Sequence, residues 1–403
     1  MRNKDSAVAV SGSPSLFPKE NPYPAYKKLR DREPVHRSSP MQWIVTGYDD
    51  CVFLLEHPGI SHWGQGSELH SKLFAEGALS KTLYSFSIES GMPYRKSVMH
   101  ALAGKQLKFD EENMALHAEK LLSRLYEKDE IEFMADFAHP FTFGSIARII
   151  GVPEADIASL SDTVKTLLAE GGYLRYVINP GESKAGNLFI GYLEKLIREK
   201  RQRPENDLCS ELIDLCIKEQ ENETFILHMI LILFYAGHDN MMNFLGNALY
   251  ALDRFPQQQA TLRENPAMMN GAVQELLRYD SPLQFLLLFA REAIPLRKKV
   301  IPAGSQILIS IGGANHDPAV FPDPDSLDWG RKNRGHLSFG IGAFRCIGAR
   351  LALLQASVAL GQFLGNTRSY SLAEKGVDWY KNSFVQRGPA SLRLEVDWKK
   401  KGD

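Results

Sequence analysis

The chain has 403 residues, and its 47 Lys and Arg residues nearly balance its 48 Asp and Glu residues, for a formal net charge of -1 at pH 7. A chain so close to neutral creates no long-range field that would attract nucleic acid or an anionic membrane surface, and we expect neither as a partner. No linker, charge block or internal repeat divides the sequence. The sequence therefore predicts one large domain over residues 1–403.

The cysteines and the apolar runs bear on the cellular compartment. Cys51, Cys209, Cys216 and Cys346 are scattered and form no CxxC pair. The longest apolar run, residues 229–236, is far shorter than the roughly twenty residues that span a bilayer. We expect a soluble protein of the reducing cytoplasm without a membrane anchor.

The N-terminal part predicts a helix, a hairpin and a second helix. Residues 21–30 begin as a proline-containing entry and continue as an amphipathic helix. Residues 34–36 and 42–46 have strand character around a Ser-Ser-Pro turn, and residues 48–50 offer caps for a helix through Leu55.

The middle of the chain predicts helices, and the C-terminal part predicts short strands and turns. Residues 89–277 show helical periodicity with short breaks, whereas strands and proline turns return from residue 293. The fold class is therefore mainly α with a minor β lobe. We assign the β-rich lobe to residues 30–60, 293–310 and 380–398, and the helical lobe to residues 89–292 and 346–366.

One predicted helix, residues 224–255, is apolar nearly all round and should be central in the fold. Its middle carries Gly237, Asp239 and Asn240. Glycine costs about 1 kcal/mol relative to alanine in a helix, and a buried carboxylate needs a partner or water. The interruption indicates either a solvated kink without chemistry or a helix that opens beside a ligand.

Glu275 and Arg278 are three residues apart on a predicted helix, so their side chains share one face and can pair. Such a pair is most often an ordinary surface ion pair. A buried scaffold pair is the alternative.

Cys346 lies among three glycines, two before it and one after it, in the string Phe-Gly-Ile-Gly-Ala-Phe-Arg-Cys-Ile-Gly, residues 339–348, and it precedes a helical run. The glycines allow tight turns and close approach of a flat ligand, and the helix start favours a thiolate. A lone thiolate without zinc spacing favours an axial ligand of a macrocyclic iron. A buried free cysteine beside a glycine turn is the other interpretation.

Residues 339–348 resemble the haem-binding loop of the cytochrome P450 family, Phe-Gly-x-Gly-x-(His or Arg)-x-Cys-x-Gly, and match every fixed position except Phe344. The resemblance extends over nearly the whole chain. It implies the cytochrome P450 fold and haem b, with Cys346 as the iron ligand. The residues that it implies to bind the cofactor are Arg95, Ala236, Gly237, Phe339, Gly340, Gly342, Phe344, Arg345 and Gly348.

Residues 236–240 are similar to the family's oxygen-activation segment, Ala-Gly-x-(Asp or Glu)-Thr. The resemblance implies catalytic roles for Asp239, which would manage water and protons, and for Asn240, which stands where threonine is usual. An amide cannot relay a proton as a hydroxyl does. One-electron oxidations such as phenolic coupling or desaturation therefore stay open beside hydroxylation.

The Glu275-x-x-Arg278 pair resembles the family's structural core signature, in which a third, cationic partner follows; Ser326 stands at that position. Related proteins also supply cations to the haem propionates. Arg95 is retained, whereas Gly91, Leu288 and Phe344 occupy three other such positions. Compensation by the displaced cations Arg291 and Arg345 is one expectation, and weak or altered haem binding is the other.

Two apolar segments match the family's substrate pocket, one preceding the cysteine loop and one near the C-terminus. The expected pocket residues are Leu283, Phe285, Leu286, Leu287, Phe384 and Val385. Simple core packing is the alternative. His62, Trp63 and His70 are expected near the entrance.

The resemblance implies a haem-thiolate monooxygenase, or a one-electron oxidase, that acts with dioxygen on a hydrophobic small molecule. A role in secondary metabolism is expected because it is common in the family. No flavin or iron–sulfur module follows Cys346, so electrons are expected from a ferredoxin or flavodoxin. A cationic docking face, or merely a solvated one, is formed by Arg331, Lys332, Arg334, Arg345 and Arg350. The other hypothesis is a catalytically inactive helper of a biosynthetic enzyme with weak or no haem binding.

Overall fold

The computed structural model describes residues 17–62, 95, 98–99, 106–170, 183–218, 223–331, 335–380 and 383–399. The described helices are α1 Tyr23–Arg32, α2 Tyr48–Glu56, α3 Gln106–Leu122, α4 His139–Ile150, α5 Glu154–Ala169, α6 Lys184–Gln202, α7 Leu208–Lys218, α8 Glu223–Phe234, α9 Asn240–Arg254, α10 Pro256–Glu264, α11 Met269–Tyr279, α12 Ile311–Ala314 and α13 Ala349–Asn366. Two π-helical segments, Met134–Ala138 and Tyr235–Asp239, precede α4 and α9. Short 3₁₀ turns cover Pro266–Met268 and Gly342–Phe344.

The described strands are β1 Val35–Ser39, β2 Gln42–Val45, β3 Ile60–Ser61, β4 Glu130–Glu132, β5 Phe285–Ala290, β6 Ile294–Leu296, β7 Lys299–Ile301, β8 Gln306–Ser310, β9 Thr367–Trp379 and β10 Pro389–Trp398. They form a five-stranded sheet in the order β1-β2-β8-β5-β3, a three-stranded sheet β4-β10-β9 and a two-stranded ribbon β6-β7. Only β2 and β8 pair in parallel within these sheets. The fold is that predicted, mainly helical with a smaller β region.

The N-terminal predictions are confirmed, with one change in how α2 is capped. The hairpin β1–β2 turns at Pro40 and Met41, so the predicted Ser-Ser-Pro contributes its proline to the turn and its serines to the end of β1, with Val35 opposite Val45. The cap of α2 does not come from residues 48–50. The Tyr48 amide instead donates to a distant side chain, the Asp317 carboxylate, at 2.9 Å, while Gly47 occupies the N-cap position.

The predicted limits of the two lobes need correction at β5 and β9. Strand β5 lies inside the range assigned to the helical lobe, yet it pairs with β8 and β3 in the five-stranded sheet. Its side chains alternate between two cores, since Leu286 and Leu288 pack in one apolar cluster and Phe285 and Leu287 in another. A strand buried on both faces reads as a continuous apolar run, which hides its period of two. Strand β9 likewise begins before residue 380, at Thr367.

The helix predicted for residues 224–255 is central, as expected, and consists of α8, the π-helical segment Tyr235–Asp239 and α9. Thr224–Arg254 is long and apolar enough to cross a membrane, but 67% of its most apolar window is buried in the protein. Burial of that extent is what the core helix of a globular protein shows. This helix packs in the largest apolar cluster with α4 and α13.

Glu275 and Arg278 on α11 form a buried pair rather than a surface one. Arg278 donates to both carboxylate oxygens of Glu275, at 2.8 and 2.9 Å, and its side chain is 2% exposed. The same guanidinium donates to the carbonyls of Asn315, Pro324 and Ser326. The pair therefore joins α11 to the segment that leads toward the cysteine loop.

The third cation of this network is Arg331, not the residue at position 326. Arg331 Nε donates to Glu275 Oε1 at 2.9 Å, and its Nη2 donates to the Ser326 carbonyl at 3.2 Å. Both charged side chains are nearly buried, at 8% and 6% exposure. Ser326 contributes its carbonyl to both arginines, so the substitution at 326 does not leave the carboxylate short of a cation.

We expect Arg331→Ala to lower the free energy of unfolding by about 3 kcal/mol, because it removes one partner of a buried ion pair. Chemical unfolding followed by circular dichroism measures this change. Arg350→Ala, at an exposed arginine of α13, is the matched control and should change stability by less than about 0.5 kcal/mol. Equal stabilities of the two variants would contradict the assignment of Arg331 to this network.

Candidate functional site

The cysteine loop, residues 339–348, is a tight turn that presents Cys346 just before α13. The Cys346 amide donates to the Phe339 carbonyl at 2.7 Å, closing the loop. Gly340 has φ +62°, and a Cβ there would lie 2.4 Å from the Phe344 carbonyl oxygen, so only glycine fits. Gly342 also has a positive φ, of +56°. The glycine content of this loop is therefore a backbone requirement, as predicted for these two positions.

Gly348 differs from the other two glycines, because its φ is -92° and nothing lies within 4 Å of a Cβ built on it. It occupies the N-cap position of α13, and its carbonyl accepts from the Ala352 amide at 2.8 Å. The tight-turn reason predicted for Gly348 is therefore wrong. Its backbone amide instead hydrogen-bonds Cys346, which places a helix-start donor beside the sulfur.

Cys346 keeps an exposed surface, unlike Cys51, Cys209 and Cys216, which are buried. Protein atoms packed around the sulfur still raise the pKa of the Cys346 thiol, while the Gly348 amide and the positive charge of Arg95 lower it. The protein alone therefore does not hold a free thiolate at this position. A coordinated metal ion would remove the proton outright.

Arg95 contacts the cysteine loop directly. Its Nη2 donates to the Arg345 carbonyl at 2.5 Å. Arg95 thus lies where its charge acts on Cys346, and it is one of the described cations near the loop. The Arg345 side chain itself is exposed.

The predicted opening of the central helix is present as the π-helical segment Tyr235–Asp239. A π-helical turn widens the helix and turns backbone groups away from their usual partners. Ala236, Gly237 and Asn240 keep partial exposure, whereas His238 and Asp239 are buried. A Cβ on Gly237 would lie 3.0 Å from Ile146 of α4. The segment is therefore packed on one side and accessible on the other, which disfavours the solvated kink.

His238, on the packed side of the segment, bonds to a second buried histidine. Its Nε2 lies 3.0 Å from Nδ1 of His139, and His139 Nε2 lies 3.0 Å from the Ser161 hydroxyl. Burial lowers the pKa of His139 to about 4, and it lowers that of His238 further below its usual range. Both imidazoles are therefore neutral at physiological pH, and the pair fixes the central helix against α4 and α5.

Asp239 and Asn240 share one hydrogen-bond donor, the side chain of Gln386. Gln386 Nε2 lies 2.7 Å from Asp239 Oδ2 and 3.3 Å from Asn240 Oδ1. Burial raises the pKa of Asp239 to about 6, and the hydrogen bond from Gln386 opposes that rise. Burial and the charge of Asp239 raise the pKa of the nearby Tyr380 to about 12. The structure thus sets a carboxyl group that titrates near neutral pH beside an amide.

Two positions at which related proteins supply propionate cations are apolar core positions. Leu288 and Phe344 are 0% and 8% exposed and belong to one apolar cluster with Leu337. The Phe344 ring packs edge-on against His62 at 4.8 Å between centroids. Burial and the charge of Arg95 lower the pKa of His62 to about 4, so His62 is a neutral imidazole.

The other residues considered for the propionates lie apart from this cluster or outside the described structure. Gly91, like Trp63 and His70 of the expected entrance, lies outside the described residues. Arg291 is exposed, and its backbone amide bonds to the Gly59 carbonyl. Among the described residues, Arg95 contacts the cysteine loop at Arg345, and His62, which the sequence predicted near the entrance, contacts it at Phe344.

The expected pocket residues divide into accessible and core positions. Leu283, Leu286, Leu287, Phe384 and Val385 keep partial exposure. Phe285 is fully buried and packs against Phe17, Tyr26 and Phe384, with centroids 5.3 to 5.8 Å away. Phe285 is thus a core residue, and its expected place at the pocket surface is wrong.

The two apolar segments do meet. The Gln284 amide donates to the Val385 carbonyl at 2.7 Å, and Leu283 forms a β-bridge with Gln386. The segment before β5 and the described residues of the terminal hairpin, 380 and 383–389, therefore form one wall.

Only some of the described arginines of the expected docking face are exposed. Arg345 and Arg350 are exposed, but Arg331 is buried on Glu275. Lys332 and Arg334 lie outside the described residues.

These residues fit a haem group. An exposed cysteine sulfur at a helix start suits an axial thiolate, and a helix widened at Ala236 and Gly237 suits a flat ligand. Arg95 can pair with a carboxylate. Helices α9 and α13, which follow the widened segment and the cysteine loop, pack against each other.

Sequence reasoning missed the contacts of three residues: Arg331, which it assigned to a docking face, His62, which it placed near the entrance, and Gln386. Each acts on a residue far away in the chain, with separations of 56 residues for Arg331–Glu275 and 147 for Gln386–Asp239. The sequence offered one signal, the acid Asp239 in an apolar helix. A buried acid requires a hydrogen-bond donor, but the sequence does not indicate which residue supplies it.

We expect Asp239→Asn to stabilise the protein increasingly as the pH rises. Because folding raises the pKa of Asp239 from 3.8 to about 6, the stability contributed by the protonated carboxyl is present below about pH 4 and lost above about pH 6. The neutral asparagine avoids that loss. Between pH 4 and 7.5 the variant should gain up to about 3 kcal/mol on the parent in urea unfolding.

Asp162→Asn, which removes an exposed carboxylate of α5, is the control for that titration. Parallel pH dependence in the parent and in Asp239→Asn would show that Asp239 does not titrate in this range.

A sequence model of the Cytochrome P450 family matches residues 161–378. The chain is 30% identical over 396 residues to the Biotin biosynthesis cytochrome P450 of Bacillus subtilis, covering 91% of this chain and 94% of that protein. It is 29% identical over 393 residues to the Cytochrome P450 monooxygenase PikC of Streptomyces venezuelae, covering 94% of this chain and 92% of that protein.

A solved structure, P450BioI in complex with an acyl carrier protein ligated to hexadec-9Z-enoic acid, superposes with a TM-score of 0.81 at 28% identity, covering 94% of this chain and 98% of that one. The cysteine loop, the widened central helix and these similarities agree on one assignment. The chain belongs to the cytochrome P450 family, and is an oxidoreductase of that family, whose cofactor is a cysteine-ligated haem.

Proposed function

We propose that this protein is a haem-thiolate monooxygenase that oxidises a hydrophobic small molecule in secondary metabolism. The observation that carries the proposal is the exposed Cys346 sulfur on a glycine-shaped loop at the start of α13, combined with a helix widened beside a titrating acid. A structural protein has no evident need for either feature. The haem would supply the redox chemistry that activates dioxygen at its iron.

The proximal residues hold the cofactor in this proposal. Cys346 would provide the thiolate ligand, while Phe339, Gly340, Gly342, Phe344, Arg345 and Gly348 shape the loop around it. Arg95 would pair with a carboxylate of the haem, and Ala236 and Gly237 would let the central helix approach the cofactor. Glu275 and Arg278 have a structural role, because Arg278 donates its hydrogen bonds to backbone carbonyls of the segment that leads to the loop.

The distal residues control protons and water. Monooxygenation of a C–H bond takes one dioxygen, two electrons and two protons, and yields the hydroxylated product and one water. Asp239, with a pKa of about 6, can both accept and release a proton near neutral pH. Asn240 holds a hydrogen-bonded group in place but cannot exchange its own proton as a hydroxyl can. One-electron coupling or desaturation therefore remains within the proposed chemistry.

The substrate class follows from the apolar wall formed by Leu283, Leu286, Leu287, Phe384 and Val385, which suits a hydrophobic molecule. Among the relatives, one is named for biotin biosynthesis and another for polyketide biosynthesis. These names support a biosynthetic role for this chain without fixing its substrate.

Electrons come from a separate acidic protein of the ferredoxin or flavodoxin type. The exposed Arg345 and Arg350 flank Cys346 in the chain and offer positive charge at that face. We place the protein in the cytoplasm, where such donors are found.

The inactive-helper hypothesis rests on three positions where cations are expected: Leu288 and Phe344, which are buried apolar side chains, and Gly91, which lies outside the described residues. Its other support is gone, because Arg331 supplies the cation missing at Ser326. A helper would function without a thiolate. If the protein is a helper, Cys346→Ser should leave its effect on the partner enzyme unchanged. If the protein is an oxidase, the same substitution should abolish its activity.

The test of the proposed function is reconstitution with ferredoxin or flavodoxin, their reductases and a panel of apolar substrates under labelled dioxygen, ¹⁸O₂. We expect substrates that shift the ferric spin state to yield a product carrying one labelled oxygen atom, or a coupled or desaturated product with none. Cys346→Ser should lose all turnover. Equal turnover by this variant would contradict the proposal.

A further inference from the structure

Gln386 lies on the terminal hairpin, where contacts hold its own backbone and the residue that follows it. Its amide donates to the Ser383 hydroxyl at 3.1 Å, and the bridge to Leu283 pairs it with the strand start. The next residue, Arg387, donates twice to the Asp280 carboxylate, at 2.9 and 3.1 Å, and its guanidinium lies 3.8 Å from the Trp379 ring centroid. The position of Gln386 is therefore set by the fold before any ligand binds.

The side chain of Gln386 uses this fixed position to reach the central helix. Its Nε2 carries two protons and lies within reach of Asp239 Oδ2 and Asn240 Oδ1 together. Among the described residues, Gln386 is the side chain that donates to the Asp239 carboxylate. Tyr380 of the same hairpin also faces Asp239, while the neighbouring His238 turns to His139 on α4.

The contact with Gln386 also decides which way the Asn240 amide points. Because Asn240 Oδ1 accepts from Gln386, its Nδ2 is the end directed along the helix, 3.5 Å from the Ala236 carbonyl. The two ends of an asparagine amide are told apart by such partners. Asn240 thus turns its N–H end toward the Ala236 carbonyl, at the position where threonine is usual in the family.

We infer that Gln386 is a positioning residue that holds the Asp239 carboxylate and sets the orientation of the Asn240 amide, linking the terminal hairpin to the oxygen-activation segment. The inference rests on the proposed function, since it assigns how the two distal residues are aligned. Phe384 and Val385 lie on the same hairpin as Gln386, two residues and one residue before it. A substrate that contacts Phe384 or Val385 therefore lies close to the residue that donates to Asp239.

The test uses Gln386→Leu, which keeps the side-chain volume and removes the donor, with Gln386→Asn as a second variant that withdraws the amide by one methylene. Gln362→Leu, at a partly buried glutamine of α13, is the matched control. Infrared difference spectra between each protein and its Asp239→Asn derivative isolate the Asp239 carboxyl band. We expect its titration midpoint, about pH 6 in the parent, to rise by about one pH unit in both Gln386 variants and to stay constant in Gln362→Leu.

A second readout reports on Asn240. The C–O stretching band of carbon monoxide on the reduced haem responds to nearby hydrogen-bond donors, and we expect the single band of the parent to split in Gln386→Leu as the amide becomes free to flip. An unchanged carboxyl midpoint and an unchanged band would overturn the inference. The carboxyl titration needs no haem, so a parent protein that fails to bind haem refutes the proposed function while the midpoint still decides the role of Gln386.

Discussion

The Glu275 carboxylate, buried between Arg278 and Arg331, is the interaction on which the proximal side depends. A buried carboxylate is tolerated only when every lone pair has a partner, and here two guanidinium groups and the Asp328 amide supply them. Arg278 also binds the Asn315 carbonyl, and the Asn315 side chain accepts from the Leu337 amide at 2.8 Å. The network thus reaches the residues directly before the cysteine loop.

The start of that loop is tied back to α11 a second time. The Asn315 amide donates to the Ser338 hydroxyl at 2.9 Å, and that hydroxyl donates to the Leu277 carbonyl at 2.8 Å. Phe339 follows at once, and its carbonyl closes the turn onto the Cys346 amide. Cys346 is therefore placed by a chain of satisfied polar groups rather than by local sequence alone. A buried acid on the distal side is satisfied in the same way: Asp239 requires a hydrogen-bond donor, and Gln386 provides it.

The sequence predicted features whose partners are close in the chain. The Cys346 loop, the opening at Gly237 and the Glu275–Arg278 pair were all foreseeable, because positive-φ glycines, a polar break and i,i+3 spacing are local signals. Arg331 and Gln386 were not, because hydrogen bonds across 56 and 147 residues leave no periodic trace. Strand β5 was placed in the wrong lobe for a related reason: burial on both faces removes the alternation that marks a strand.

The central claim is that Cys346 is the thiolate ligand of a haem iron, and the absorption spectrum of the reduced protein with carbon monoxide tests it most directly. Protein expressed with added haem should show the red-shifted Soret band of a thiolate-ligated carbon monoxide complex, and Cys346→Ser should lose that band while keeping its fold by circular dichroism. A correctly folded parent protein that binds no haem, or a thiolate band that survives in Cys346→Ser, would contradict the account.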